Sequence, residues 1–446
     1  MIEDRDRLAA SEAHGTALDC IEAGIEAGHP RTIVRDAVGL DGDTLRIADS
    51  TYDLGGYEEI VVLGGGNAAA HVAVALEAIL GDRIDRGVVV TDDPVDTERV
   101  TVREGDHPVP SERAVDGTRE LLAAADAAAE DTLVLALITG GGSALLPAPA
   151  GEVSLADLQS TTDSLLESGA DIHEINAVRK HLSALKGGRL ARRAAPATVV
   201  SLIFSDVVGN DLSVIASGPV APDESTFDEA LAVLERYGID APDAVIAHLE
   251  SGVSGEIDET PSADDPVVAA VSNHVVADGM TVLAAAQAAA ADRGYETLVL
   301  SSRVRGEARD AATTHVAIAE EVQATDTPVS PPAVILSGGE TTVTIRGNGS
   351  GGPNQEFATS AALELNGSKE DDEGRIVVAA VDTDGIDGAT DAAGAVVDET
   401  TVEDPETARA ALAENDVYPY LESRDGLVLT GPTGTNLNDL RVVVVD

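Results

Sequence analysis

The stretch Glu59-Ile-Val-Val-Leu-Gly64-Gly65-Gly66-Asn67 begins as a continuous apolar run and ends in three glycines. Apolar runs without polar alternation are typical of strands that are buried on both faces of a parallel sheet. Similar runs occur at Leu133–Ile138 and Val199–Phe204, and Ala-rich amphipathic stretches separate them. This alternation predicts an α/β protein with mainly parallel sheets and crossover helices.

The chain is long enough for two or three domains, since it has 446 residues. The segment 251–266 is polar, acidic and punctuated by Pro and Gly, which is typical of a linker. We therefore predict two α/β domains, a Rossmann-like one over 1–255 and a second one over 256–446, with a cleft between them.

The charge of the chain is extreme, with a formal net value of −52 from 28 basic and 80 acidic residues. Such a charge repels phosphate backbones and anionic lipids, which argues against nucleic-acid and membrane-surface functions. Scarce lysine and surplus carboxylate predict a halophilic surface, adapted to concentrated salt. A single cysteine, Cys20, excludes disulfides, and no apolar run approaches 18 residues, so we expect a soluble cytoplasmic protein.

Glycines follow several of the predicted strands, where a backbone can approach phosphate oxygens closely. In open α/β sheets ligands also gather at the carboxyl ends of strands. No Walker-type G-x-x-x-x-G-K-[ST] motif is present. These loops predict nucleotide or phosphate binding by Gly64, Gly65, Gly66 and Asn67, by Gly140, Gly141, Gly142 and Ser143, and by Gly338, Gly339 and Glu340.

Positive charge is concentrated in one segment, Asn176–Leu190, which holds Arg179, Lys180 and Lys186. A helix C-terminus needs about one cation to interact favourably with its dipole, so this number points to a bound anion. Carboxylates cluster instead after two predicted strands, at Asp206 and at Asp382 with Asp384. Carboxylates at strand ends suit Mg²⁺ or a general base.

A series of motifs occurs in one order along the chain, and together they resemble the glycerate 2-kinase family whose C-terminal part is called the MOFRL domain. The resemblance, to a haloarchaeal type of member, runs from about residue 10 to the end. The motifs are Gly105–Pro108, Thr139–Leu145, Asn176–Leu190, Ser205–Val207, Ser217–Pro219, Ser337–Thr341, Gly351–Glu356, Asp382–Gly385 and Thr433–Asp439.

The resemblance implies phosphorylation of D-glycerate at its 2-hydroxyl by ATP with Mg²⁺, and adds Asn354, Gln355 and Glu356 to the nucleotide-binding set. In this interpretation Lys186 neutralises the moving phosphate, and Arg179 or Lys180 holds the glycerate carboxylate. Asp206 orients the hydroxyl or binds Mg²⁺, and Asp382 or Asp384 holds the metal.

Two positions depart from the family pattern, because Asn67 and Pro353 stand where many relatives have Lys and Arg. Two other functions therefore stay open. Gly64-x-Gly66-x-x-Ala69, with Asp92 beyond it, resembles a dinucleotide fingerprint and would suit an NAD(P)H-dependent hydroxypyruvate reductase. The missing cations would suit a metabolite-binding protein without catalysis. A homodimer is one of the assemblies that we consider for this chain.

Overall fold

The computed structural model describes residues 1–366 and 375–446. The strands are β1 (Val38–Asp41), β2 (Thr44–Ile47), β3 (Ser50–Asp53), β4 (Glu59–Gly65), β5 (Arg86–Thr91), β6 (Val100–Glu104), β7 (Thr132–Ile138), β8 (Thr198–Phe204), β9 (Ser272–Ala277), β10 (Glu296–Glu307), β11 (Ala333–Thr342), β12 (Ile376–Asp382), β13 (Gly394–Asp398), β14 (Leu427–Val428) and β15 (Asp439–Val445).

The helices are α1 (Arg5–Leu8), α2 (Glu12–Gly28), α3 (Pro30–Ala37), α4 (Ala69–Leu80), α5 (Glu112–Asp126), α6 (Gly142–Leu145), α7 (Leu155–Ser168), α8 (Ile172–His181), α9 (Arg189–Ala194), α10 (Phe227–Tyr237), α11 (Asp243–Val253), α12 (Pro266–Ala269), α13 (Gly279–Asp292), α14 (Ala308–Thr325), α15 (Pro353–Leu365), α16 (Pro405–Ala413) and α17 (Val417–Glu422). No helix among the described residues is both long and apolar enough to span a membrane.

The chain forms two compact units, and one of them is discontinuous in sequence. Pro30–Val276 form the middle unit, whereas Met1–His29 and Ala277–Asp446 together form the split unit. This division differs from the predicted one at 255/256. Helix α2 packs on α13 and β15, so the N-terminal segment belongs with the C-terminal half.

The predicted linker is instead part of the middle unit. The backbone N–H of Phe227 donates to Glu259, and the N–H of Asp223 donates to the carbonyl of Pro261 at 2.9 Å. Thr260 is buried. A segment rich in Pro and acids resembles a linker in sequence, but here its polar groups bond to their own unit.

The middle unit is built on a six-stranded sheet in the order β6-β5-β4-β7-β8-β9. The pairings from β6 to β8 are parallel, as predicted, and every residue of β7 is buried. The carboxyl ends of β4, β7 and β8 therefore lie side by side. The loops after these three strands carry the first two glycine motifs and Asp206.

The split unit is built on a mixed sheet in the order β10-β11-β15-β12-β13-β14. Among the described residues of this unit, only β10 and β11 pair in parallel, and the other four pairings are antiparallel. The prediction of mainly parallel sheets is therefore wrong for this unit. The C-terminal strand β15 inserts between β11 and β12 in the opposite direction, and a buried apolar run reads the same in either direction.

Candidate active site

The first glycine motif is shaped by close packing between neighbouring strands. Gly64 and Gly65 lie within β4, where a Cβ on Gly64 would overlap the carbonyl oxygen of Leu137. Gly66 has a φ of 130°, and a Cβ there would overlap the Thr139 hydroxyl. These glycines are required by backbone contact with the second glycine motif.

Asn67 lies at the tip of this first motif and joins it to its neighbours. Its backbone N–H donates to the carbonyl of Gly140 at 2.8 Å, and its Nδ2 donates to Asp92 at 2.8 Å. Its Oδ1 is buried and accepts no hydrogen bond. Asp92, the acid that follows the dinucleotide-like fingerprint, is thus engaged by a side chain of the protein.

The second glycine motif wraps around the carboxylate of Asp206. That carboxylate accepts hydrogen bonds from its own N–H and from the N–H of Gly141, and a Cβ on Gly140 would overlap it. Burial raises the pKa of Asp206, and the positive charge of His107 partly opposes the rise. A raised pKa makes this carboxylate a stronger proton acceptor than an ordinary aspartate.

Lys186 lies behind the second glycine motif and is only 2% exposed. Its Nζ donates to the carbonyls of Ser143 at 2.9 Å and Leu146 at 3.3 Å. Burial, together with the nearby charge of Arg179, lowers the pKa of Lys186 to about 7. No carboxylate of the described residues lies within 4.0 Å of this ammonium.

Arg179 is the second uncompensated cation of the middle unit. Burial lowers its pKa, and within residues 1–366 and 375–446 its guanidinium makes no hydrogen bond or ion pair. Since Arg179 also acts electrostatically on Lys186, the two charges lie close together. Two adjacent cations without a carboxylate favour a bound anion.

Lys180 differs from its neighbours because it has an internal partner. Its Nζ donates to Asp223 at 3.1 Å, and both side chains are nearly inaccessible. Helix α8 ends at His181, so Arg179 and Lys186 do not lie on one face of a single helix. A turn, not helical spacing, brings Lys186 near Arg179. The charge of Lys180 is already neutralised within the fold.

A chain of side-chain hydrogen bonds supports this part of the site, and it joins residues from three of the sequence motifs. Ser143 and Ser217 share a hydrogen bond of 2.8 Å, and Ser217 Oγ donates to Asn176 Oδ1 at 3.0 Å. Ser217 has a positive φ of 59°. Asn176 Nδ2 is buried without an acceptor. This orphaned donor next to Arg179 on α8 adds a third group that can bind an anion.

In the split unit, Gly338 and Gly339 lie inside β11 rather than in a loop after it. They pair with Leu440 and Asp439 on β15. Gly339 has a φ of 128°, and a Cβ there would overlap the backbone of Val304. The glycines therefore allow close strand contact, and phosphate binding by them stays a prediction. Glu340 is exposed on the same strand.

Asn354, Gln355 and Glu356 are all buried in the first turn of α15. The N–H groups of Asn354 and Gln355 donate to Asp387 at 2.9 and 2.8 Å. Glu356 accepts hydrogen bonds from Arg309 at 2.6 Å and from Asn415 at 2.7 Å. These contacts hold the first turn of α15 and the Glu356 carboxylate within the fold, and nucleotide binding by the three residues stays a prediction. Pro353 suits its place as the first helical residue, where no N–H bond is needed.

Four carboxylates crowd the carboxyl end of β12 and the start of β15. Burial raises the pKa of Asp382 well above its ordinary value, and Asp384, Asp439 and Asp387 raise it further. Burial likewise raises the pKa of Asp387 to about 7. Among the described residues, no three His, Cys, Asp or Glu side chains form a ready metal-binding group. The crowding nevertheless favours a proton or a cation at Asp382.

Comparison with known proteins gives one consistent result. A family profile described as a domain of unknown function, DUF4147, matches residues 16–250, and the MOFRL family profile matches 333–439. A glycerate 2-kinase from Pyrococcus horikoshii is 40% identical, over 98% of each chain. A protein from Agrobacterium vitis that carries the name hydroxypyruvate reductase is 43% identical over 86% of this chain and 87% of its own. The crystal structure of glycerate kinase from Thermotoga maritima superimposes with a TM-score of 0.83 at 38% identity, covering 97% of this chain and 99% of that one.

Proposed function

Because this chain belongs to the glycerate 2-kinase family, we propose that it transfers the terminal phosphoryl group of ATP to the 2-hydroxyl of D-glycerate. The products are 2-phosphoglycerate and ADP, with release of the hydroxyl proton. The observation that carries the proposal is the pair of uncompensated cations, Arg179 and Lys186, in a chain of net charge −52.

Phosphoryl transfer depends mainly on positioning and on neutralising charge, and little on covalent chemistry by the protein. Lys186 is placed to stabilise negative charge on the moving phosphoryl group, and Arg179 to bind the glycerate carboxylate. Both assignments retain the sequence prediction, whereas Lys180 leaves the catalytic set because Asp223 neutralises it.

Asp206 is the proposed acceptor of the hydroxyl proton. Its carboxylate is oriented by two backbone N–H groups of the β7 and β8 loops, and burial raises its pKa. The Gly140–Ser143 loop lies against this carboxylate, so it can hold phosphate oxygens near the reacting hydroxyl. Asp206 thus orients the glycerate hydroxyl in this proposal.

Mg²⁺ fits the acidic cluster of the split unit by the chemistry of its donors. Mg²⁺ is usually held by one or two carboxylates together with substrate phosphates and water, and a cation would relieve the crowding around Asp382. Asp382 and Asp384 would hold it. When bound, Mg²⁺ would offset charge on the phosphates of ATP.

Phosphorus NMR of the product tests the proposal. Purified protein with ATP, Mg²⁺ and D-glycerate in molar KCl should form 2-phosphoglycerate, whose phosphorus couples to the single proton on C2. A 3-phosphoglycerate signal, which couples to two protons, would refute attack by the 2-hydroxyl. Absence of both signals, with glycerate still bound, would support the metabolite-binding alternative.

The reductase alternative has less support from the geometry. Asp92 bonds to Asn67, and Gly66 packs on Thr139, so the fingerprint residues contact their own protein where a dinucleotide would lie. Oxidation of NADH on addition of hydroxypyruvate would support the reductase function instead. A rate at the level of buffer alone is the expected result.

We also propose that the protein works in the cytoplasm at high salt, since its surplus of carboxylates suits such a solvent. A homodimer is part of this proposal. Light scattering in molar KCl measures the mass, and a mass of one chain, 45.5 kDa, would contradict the dimer.

A further inference from the structure

Three arginines of the split unit lack the partners that arginines have elsewhere in this protein. Through residues 1–366 and 375–446, the arginines and lysines bond to acids, carbonyls or other groups, apart from Arg179 and from Arg303, Arg305 and Arg346. Acids outnumber bases by 80 to 28, so an arginine left unpaired is unusual in this chain. Three of them occur in one part of one unit.

Strand β10 presents the first two of these arginines on the edge of the mixed sheet. Arg303 and Arg305 are both exposed, and Arg305 is level with Glu340 on β11. Within residues 1–366 and 375–446, no carboxylate lies within 4.0 Å of either guanidinium. The following acid, Glu307, forms no ion pair with them among the described residues, and its oxygens accept hydrogen bonds from the N–H of Thr344 at 3.1 Å and from its hydroxyl at 3.0 Å.

The hydrogen bonds between Glu307 and Thr344 also bring the third arginine, Arg346, to this edge of the sheet. Thr344 is held by Glu307, and Arg346 is two residues farther, a span of at most about 7 Å. The backbone N–H of Arg346 donates to Asn415 Oδ1 at 2.7 Å. Asn415 in turn donates to the buried carboxylate of Glu356 at 2.7 Å. The backbone that carries Arg346 is therefore fixed, while its guanidinium is exposed.

Ile345 lies between Thr344 and Arg346 and is 81% exposed, more than any other large hydrophobic side chain among the described residues. An apolar side chain beside unpaired guanidiniums matches the two parts of a nucleotide, a flat base and a row of phosphates. The β11 glycines and the first turn of α15 do not offer such groups, because they are buried in the fold.

We propose that Arg303, Arg305, Ile345 and Arg346 form the nucleoside triphosphate site of the split unit. The guanidiniums bind the phosphate oxygens and Ile345 contacts the base. This inference rests on the proposed kinase function for the identity of the nucleotide, but the site itself requires only an anionic polyphosphate ligand.

Steady-state kinetics in molar KCl tests the phosphate contacts. Arg303→Gln/Arg305→Gln and Arg346→Gln should each raise the KM for ATP about 10-fold, since charge-assisted hydrogen bonds are lost, with kcat and the KM for glycerate nearly unchanged. Tripolyphosphate, which has no base, should become a weaker competitive inhibitor by a similar factor. The variants should fold, because the lost guanidiniums have no partners within the described part of the chain.

The control removes the same charge elsewhere. Arg119→Gln/Arg409→Gln deletes two exposed arginines that pair only with Asp116 and Glu406 on their own helices. An equal rise of KM in this control would show a general effect of net charge and would overturn the proposal. An unchanged KM for ATP in the β10 variant, or a change confined to glycerate, would overturn it as well.

A second variant separates the two parts of the site. Ile345→Ser should raise the KM for ATP about fivefold through lost apolar burial, yet leave inhibition by tripolyphosphate unchanged. Calorimetric titration with tripolyphosphate is independent of turnover. If the protein proved inactive on glycerate, binding that is lost in the arginine variants would uphold this site while the proposed function failed.

Discussion

At the scale of single residues, Lys186 carries the largest share of the proposed chemistry. It has no acidic partner among the described residues and is 2% exposed. Lys186→Ala should lower kcat about 10²- to 10³-fold, comparable to the loss of one preorganised electrostatic donor, with a smaller change in the KM for glycerate. Lys186→Arg should recover little, because a planar guanidinium cannot replace a compact ammonium.

Circular dichroism decides whether the Lys186→Ala protein is folded, and Arg193→Ala, an exposed arginine paired with Asp126, serves as its control. If Lys186 only fastens the carbonyls of Ser143 and Leu146, the variant would lose stability but keep most of its turnover. Turnover near the wild-type value in the folded variant would remove Lys186 from the catalytic set.

The pH dependence of activity follows from the same residue. Burial lowers the pKa of Lys186 to about 7, and the proposed function requires the charged ammonium. The value of kcat/KM for ATP should therefore fall as pH rises through about 7, and this alkaline limb should be absent in Lys186→Arg. A wild-type profile that stays flat from pH 6 to about 9 would contradict an essential Lys186 that loses its proton near pH 7.

Some features of the individual site residues could be predicted from the sequence, and others could not. The concentration of cations in an acidic chain drew attention to Arg179 and Lys186, and a turn of the fold brings the two charges close together. The pairing of Lys180 with Asp223 joins residues 43 positions apart, so no local pattern reveals it. The unpaired donor of Asn176 is equally invisible before the fold is known.

At the scale of elements, helix α15 depends on Asp387, which accepts hydrogen bonds from two N–H groups of its first turn. Asp387→Ala should lower the free energy of unfolding by about 0.5–2 kcal/mol, the usual effect of losing such a cap. Thermal unfolding in molar KCl measures it. Glu364→Ala, an exposed change on the same helix, should have little effect, and an equal loss in both variants would contradict the capping role.

The cost of Asp387→Ala should also depend on pH in a defined direction. Burial raises the pKa of Asp387 from 3.8 to about 7 in the folded protein, so folding favours its protonated form. Its contribution to stability is complete below the unfolded pKa and declines as pH rises through about 7. The substitution should therefore cost more at pH 5 than at pH 8, and the reverse order would refute a buried, protonated Asp387.

The presence of helices and strands could be predicted well from apolar periodicity. The direction of the strands and the reason for each glycine could not. The Gly338-Gly339 pair reads like a phosphate loop, yet a φ of 128° and the backbone of Val304 explain Gly339 as a close strand contact. A phosphate-binding loop and a close contact between strands both require a residue without Cβ. The two cases can be told apart only once the neighbouring strand is known.

At the scale of the whole molecule, the net charge leads us to expect that the stability of the fold depends on salt. The Debye length grows from about 3 Å at 1 M salt to about 10 Å at 0.1 M, so repulsion among the surplus carboxylates increases on dilution. Activity and the far-UV circular dichroism signal should both decline at low salt, given a net charge of −52. Full activity with an unchanged spectrum in dilute buffer would contradict a salt-adapted surface.

The domain boundaries of the molecule also differ from a division of the sequence into two consecutive segments. The split unit combines Met1–His29 with Ala277–Asp446, and helix α2 packs on α13. Such pairing of distant segments leaves no local mark in composition. The family motifs predicted the function from their order along the chain, although several of their residues support the fold rather than the ligand.

The central claim is that this protein phosphorylates the 2-hydroxyl of D-glycerate. Phosphorus NMR of a reaction with ATP, Mg²⁺ and D-glycerate in molar KCl tests it most directly, with folded Lys186→Ala protein in parallel. We expect a new phosphorus doublet from coupling to the single proton on C2, and a rate about 10²- to 10³-fold lower in the variant. A triplet from 3-phosphoglycerate, or ATP that stays intact in the presence of glycerate, would contradict the claim.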